Sequence, residues 1–350
     1  MRKLVVVAAV AGLSFGLFLA DSGANHQVRN LHFGVSGGNV NDSTSRFCCA
    51  GTLGSLVAAG GTQYILSNNH ILARQDQAVV GEDVSQPGTI DNGCQIPPIV
   101  ADFTTAPALG GNVDAAIAQL RSGQMDSTGF IEDVGTISSV VKAPSVGLAV
   151  AKSGRTTGFT TGSLTSINTN VSVQYQLKCG SGKKHTIAYT NQVVAVAGSG
   201  SFSAGGDSGS LIVSNNTCHQ PVALLFAGNS TQTIGNPIGE VLSKVSASLG
   251  SSVAFVGSTC SALAPGVESA TITPTQNDID FATMIKDRHA PDLMARPEVI
   301  GVGVGVRDED PSQAAIVLYI DSTRPAHPRV PDTIDGVAVK VVATEPFVAF

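Results

Sequence analysis

Gly205-Gly206-Asp207-Ser208-Gly209-Ser210 is the stretch that decides the reading of this chain. A serine between small residues, with an Asp before it, marks a tight turn that presents a hydroxyl. Such a hydroxyl is a poor nucleophile near neutrality. It needs an imidazole to take its proton and a carboxylate to hold that imidazole. Both groups stand upstream. His70 closes Ser67-Asn68-Asn69-His70, and Asp114 opens Asp114-Ala115-Ala116-Ile117-Ala118. The order along the chain is His, Asp, Ser.

Asp114 competes with Asp76, Asp83, Asp91, Asp102 and Asp126 for the carboxylate role. It is selected because an apolar strand follows it, which would bury the carboxylate beside the imidazole. Ser203 and Ser210 compete with Ser208, but only Ser208 has Gly-Asp before it and Gly after it. His185 and His219 lack such context and read as structural.

The body around these residues reads as all-β. The chain has 350 residues, 43% hydrophobic and only 13% charged, with 39 Gly and no Trp. Short Val/Ile/Thr runs between Gly-rich turns suit strands and tight connections. Residues 51–57 and 62–67 read as a hairpin turning at Gly60-Gly61. Residues 146–151, 162–168, 171–177, 186–197, 210–214 and 222–227 read as further strands, and 237–249 as a helix. The net charge of −6 argues against a nucleic-acid partner.

Residues 1–24 read as an export signal. Arg2 and Lys3 precede an apolar core from Leu4 to Ala20, with small residues up to Ala24. The expectation is a secreted or periplasmic protein with no stable membrane insertion once the signal is removed. Six Cys in an exported chain point to disulfides. The pairings guessed are Cys48 or Cys49 with Cys94, and Cys179 with Cys218. No H-E-x-x-H or clustered His/Cys spacing supports a metal, and no cofactor is expected.

These motifs resemble the chymotrypsin-like (trypsin-like) serine proteases, nearest the secreted bacterial branch of α-lytic protease and the streptogrisins. The resemblance covers about residues 32–260. Its fourth support is Lys152-Ser153-Gly154-Arg155-Thr156-Thr157-Gly158. It implies two β-barrels, residues 32–142 and 143–260, with the site between them. It implies Ser208 as nucleophile, His70 as general base and acid, and Asp114 as orienting carboxylate. The N–H groups of Gly206 and Ser208 would form the oxyanion hole. Asp207 needs a buried cation, expected to be Lys152, or less readily Arg155. Phe226, Ala227 and Gly228 would line the substrate-pairing edge, and residues 201–204 the pocket base. No Asp stands there, so an apolar or small side chain is expected beside the cut. The partner implied is a protein or peptide substrate, handled by a monomer.

Residues 261–277 have linker composition, rich in Ala, Pro, Ser and Thr. Residues 278–350 read as a small α+β domain of one helix and three strands. The helix, 281–289, should stop or kink at Pro291. In 300–306, Ile and Val alternate with Gly301, Gly303 and Gly305, a strand with one bare face that another backbone can approach. This domain could dock a strand on a barrel edge as folding aid or inhibitor, could recruit substrate, or could be an independent accessory. Rival readings of the whole are an α/β-hydrolase and a non-catalytic exported binding protein. The first needs the order Ser, Asp, His and a G-x-S-x-G elbow, and position 210 is Ser. The second is opposed by the intact His70, Asp114 and Ser208.

Overall fold

The computed structural model describes residues 25–260, 273–324 and 330–350. The signal segment and most of the linker lie outside the described residues. The first sheet is built from β1 (Val35–Asn39), β2 (Gly51–Leu53), β3 (Ser55–Ala59), β4 (Thr62–Ser67), β5 (Asp83–Ser85), β6 (Ile99–Thr105) and β7 (Ala116–Leu120). Alternation along these strands sends Leu56, Ile65, Ile117 and Phe103 into one apolar core. The β3–β4 hairpin turns through Gly60 and Gly61, both at positive φ, with Ala59 opposite Thr62. That is the two-residue turn whose twist suits a hairpin and whose backbone suits Gly.

After a small hairpin of β8 (Phe130–Ile131) and β9 (Gly135–Thr136), the second sheet begins. It comprises β10 (Ala149–Gly154), β11 (Gly158–Lys178), β12 (Ser181–Ala197), β13 (Leu211–Ser214), β14 (Pro221–Gly228) and β15 (Thr233–Pro237). Because β10 pairs with both β13 and β11, the six strands close into a ring. Helix Ile238–Leu249 leaves this ring and sets Val241 and Val245 into the first core. It stops at Gly250, which is left-handed. The chain then returns through β16 (Ala254–Phe255) to pair with β3, as the eighth strand of the first sheet.

Strands 162–168 and 171–177, expected as separate elements, are one strand. β11 bulges where Asn168 takes a positive φ, and its register against β12 shifts there without breaking. The β11–β12 hairpin therefore extends well past the ring. Its outer edge pairs with β17 (Val299–Val306), which continues through β18 (Ala314–Asp321) to β20 (Val337–Thr344), with β19 (Thr333–Ile334) on β20. The bare Gly face of β17 is where the hairpin comes close. A Cβ on Gly303 would sit 2.2 Å from Ser166 Oγ and 2.3 Å from Thr169 Oγ1.

The C-terminal helix is longer than expected, Gln276–Met294, with Pro291 inside it. A capping box between Thr275 and Asp278 starts it earlier than its apolar spacing indicates. Pro291 removes one hydrogen bond near the far end without stopping the helix. Ile279, Ala282, Ile285 and Leu293 pack into the core with β17 and β18. The region carries five strands, not three; the additional pair is β19 and β21 (Phe347–Ala349).

Three disulfides form: Cys48–Cys94, Cys49–Cys179 and Cys218–Cys260. The expected Cys179–Cys218 pair is therefore wrong. Cys179 lies at the tip of the β11–β12 hairpin, which reaches across to Cys49, while Cys218 closes on Cys260.

The two sheets meet at a close backbone contact. A Cβ on Gly54 would lie 1.9 Å from the carbonyl oxygen of Gly209, and one on Gly209 would lie 2.2 Å from that of Thr52. Thr52 N donates to Ser208 O at 2.7 Å. Since a backbone cannot yield as a side-chain tip can, Gly54→Ala is expected to cost about 1–3 kcal/mol, as overpacking does. Thermal unfolding of the variant against the parent checks this.

Candidate active site

Asp114 stands just before β7, fully buried. A buried carboxylate must be matched by donors. It has three: His70 Nδ1 donates to Oδ2 at 2.6 Å, His70 N to Oδ1 at 3.1 Å, and Tyr175 Oη to Oδ2 at 2.8 Å. Its main chain is held as well. Asn68 Nδ2 donates to Asp114 O at 2.6 Å, and Asp114 N donates to Asn236 Oδ1 at 2.9 Å. Asn236 is fixed in turn through Gln192. The carboxylate thus gathers groups from the β4 end and the long hairpin, and the Asp114 main chain is tied to β15.

His70 lies in the short helix Asn69–Leu72 immediately after β4 and is 9% exposed. Burial pushes its pKa down, but the Asp114 charge and hydrogen bond, the Phe350 carbonyl and the Asp42 charge outweigh it. The imidazole is held above its ordinary 6.5. Asp42 is itself pushed up to about 6 by burial, against the pull of His70 and Arg74. It lines the open cleft beside His70, together with Arg74, Gln75 and Tyr175.

The turn carrying Ser208 is built around Asp207. Its carboxylate accepts from Thr156 N (2.8 Å), Ala204 N (2.9 Å) and Thr157 Oγ1 (2.7 Å). Lys152 Nζ lies 3.6 Å away, with both side chains fully buried. The ammonium also donates to Gly158 O and Thr157 Oγ1. Burial lowers the Lys152 pKa and the Asp207 charge works against that. Arg155, the other cation considered for Asp207, pairs with Asp91 at 2.5 Å.

Asp207 N and Gly209 N are spent on Ala204 O and Leu225 O. The N–H groups of Gly206 and Ser208 make no hydrogen bond among the described residues. Gly206 is at φ +99°, and a Cβ there would strike Thr156 and Arg155. Ser208 Oγ donates to Phe226 O at 3.1 Å rather than to His70. The face of His70 that would meet it is taken: Nε2 hydrogen-bonds the main-chain oxygen of Phe350 at 3.0 Å.

Of the expected residues, then, His70 and Asp114 are in direct contact, and so are Lys152 and Asp207 as an ion pair. Phe226 receives the Ser208 hydroxyl, and Ala227 and Gly228 are paired with Ala349 and Val348. Sequence reasoning missed Tyr175, Asn236, Asp42 and Phe350. The signal for Tyr175 was its phase: it follows Val171 and Val173 on the inward face of β11. A hydroxyl there needs a buried partner.

No protein-family profile matches this chain, and no curated protein matches it. Similar solved structures include a glutamic-acid-specific serine protease, described as using a histidine triad in substrate binding. It is 21% identical, TM-score 0.44, over 64% of this chain and 98% of that one. Protease A of Thermobifida fusca is 18% identical, TM-score 0.43, over 65% and 98%. A chymotrypsin of Cellulomonas bogoriensis is 19% identical, TM-score 0.40, over 61% and 94%. A closed six-stranded ring set against a separate eight-stranded sheet is a chymotrypsin-like fold.

The Asp42 charge favours the His70 imidazolium. Asp42→Asn is therefore expected to lower the His70 pKa. An NMR titration of the His70 ring should show its midpoint moving to lower pH.

Proposed function

We propose that this chain is a serine endopeptidase that acts through an acyl-enzyme intermediate. The observation that carries the reading is the buried Asp114–His70 pair beside a Gly-Asp-Ser-Gly turn whose two N–H groups are unspent. Ser208 Oγ would attack the substrate carbonyl while His70 Nε2 takes its proton. His70 would then pass that proton to the departing amine, and repeat the cycle with water. Asp114 keeps the Nδ1 proton on its own side, so in the neutral ring, with Phe350 displaced, Nε2 would be the free base. The N–H groups of Gly206 and Ser208 would receive the developing oxyanion, a contact worth about 3–4 kcal/mol per donor. A neutral Lys152 or an unpaired Asp207 would leave a buried charge uncompensated, so this pair holds the turn in shape.

An exported setting agrees with the three disulfides and with the apolar start of the chain. Among the described residues no helix is long and apolar enough to cross a membrane. Substrates are taken as extended peptides along the Ala227–Gly228 edge, and the reaction calls for no metal or cofactor.

A fluorophosphonate probe tests the reading directly. Covalent labelling is expected in the chain once the cleft is open, and its loss in Ser208→Ala and in His70→Ala. Persistent labelling in Ser208→Ala would place the nucleophile elsewhere. Tyr175→Phe keeps the ring but removes one donor to the Asp114 carboxylate. A hydrogen bond to a charged group is worth about 1.5–3 kcal/mol, so kcat should fall by roughly tenfold to a hundredfold with KM little changed.

A further inference from the structure

The element packed against the candidate site is the chain's own last strand. β21 lies in a slot between two strands of the second sheet. On one side it runs antiparallel to β14, with Ala349 opposite Ala227 and Val348 opposite Gly228. On the other it runs parallel to β11, with Phe347 opposite Val173 and Val348 opposite Gln174. The β14 register, carried one residue on, sets Phe350 opposite Phe226. Phe226 is the residue whose carbonyl accepts the Ser208 hydroxyl, and the Phe350 carbonyl oxygen is the one His70 Nε2 holds.

The strand is also anchored side by side. The Phe350 ring lies against Gly228, where a Cβ would come within 2.8 Å of Cζ, and packs on the cluster containing Phe202, Ile212 and Leu225. Phe202 belongs to the 201–204 segment expected to floor the pocket. Phe347 is fully buried, with its ring 5.7 Å from that of Tyr319. Before it, Asn229 Nδ2 donates to Thr344 Oγ1 (2.9 Å) and Glu345 O (2.6 Å), and Ser230 Oγ donates to Glu345 Oε2 (2.9 Å).

We propose that residues Phe347–Phe350 occupy the acyl-side substrate groove, with Phe350 in the pocket for the residue preceding the cut. The inference rests on the serine-protease reading above and deepens it in two respects. The groove takes extended peptides with a large aromatic or apolar side chain at that position. The full chain is also held latent by this internal occupant. Each element of strand addition is present: main-chain pairing with the flanking strands, and a side-chain pocket for specificity. The polarity is right too, because the strand runs towards His70 and delivers a carbonyl there. Gly228 has no side chain to close the pocket mouth, which leaves the space the Phe350 ring fills. Covalent tethering keeps the occupant at a high effective concentration, on the order of millimolar for a short connection. A free peptide substrate must compete against that.

The test compares the full chain with a form lacking Val348–Phe350 and with the point variant Phe350→Gly. Two readouts are used: the rate of fluorophosphonate labelling, and hydrolysis of blocked Val-Ala-X p-nitroanilides with X as Phe, Glu or Arg. The expected result is labelling at least about tenfold faster in both variants than in the full chain, by relief of that effective concentration. The Phe nitroanilide should be cleaved at least about tenfold better than the Glu and Arg ones. A synthetic Glu-Pro-Phe-Val-Ala-Phe peptide added to the shortened form should raise KM and leave kcat unchanged. Equal and rapid labelling of all three forms would overturn the proposal while leaving the protease reading intact. So would preference for Glu or Arg, or failure of the peptide to compete. Variants that are folded by circular dichroism yet never label would overturn the protease reading, and this one with it.

Discussion

A fully buried carboxylate, that of Asp114, is the constraint on which the rest of this structure depends. Its oxygens accept from donors that come from distant parts of the chain, and its main chain is held from a third. His70 brings the end of β4. Tyr175 brings the long hairpin. Asn236 brings β15 and, through Gln192, the base of that hairpin. Removing His70 or Tyr175 leaves the buried carboxylate less satisfied, and removing Asn236 leaves the Asp114 N–H without its acceptor; both are costly in a medium of low polarity. The first sheet, the ring and the hairpin are therefore registered against one another by a single group. The apolar cores supply most of the stability, but they do not by themselves fix that registration.

A second buried charge does the same work on the far side of the site. Asp207 and Lys152 sit at the root of the Ser208 turn, and three backbone N–H groups and a hydroxyl complete the carboxylate's shell. The turn is also wedged against the first sheet where Gly54 and Gly209 let backbones approach. Its conformation is thus set from both sides before any ligand arrives, which is what preorganised stabilisation of a transition-state charge requires.

Much of this was legible in the sequence where the chemistry demands a residue type locally. Gly206 and Gly209 take positive φ in the turn, and Asp207 bonds locally to Ala204, while its other partners lie about fifty residues upstream in a run the sequence also singles out. The run ending at His70 and the run opening at Asp114 carried their own strand signals. The β body was readable from alternation and turn residues. What was not readable depends on contacts distant along the chain. The Cys49–Cys179 pairing follows from how far the hairpin bends, and no spacing rule encodes that. The bulge at Asn168 hid one strand as two. The helix from Gln276 was shortened because its cap at Thr275 lies in a polar stretch that reads as linker. β21 has three residues and no periodicity, and its partners lie more than a hundred residues upstream. A strand that short is defined by the slot that receives it.

The bridge between Cys49 and Cys179 has a meaning beyond clamping a hairpin. Tyr175 stands four positions before the bridged sulfur on β11, so the donor that reaches Asp114 is tethered through oxidised cysteine to the wall of the first sheet. In a reducing environment the hairpin tip would lose that tether, and the geometry around the imidazole would lose one of its fixed points. On the protease reading, the fixed points around the imidazole would thus be complete where thiols become disulfides.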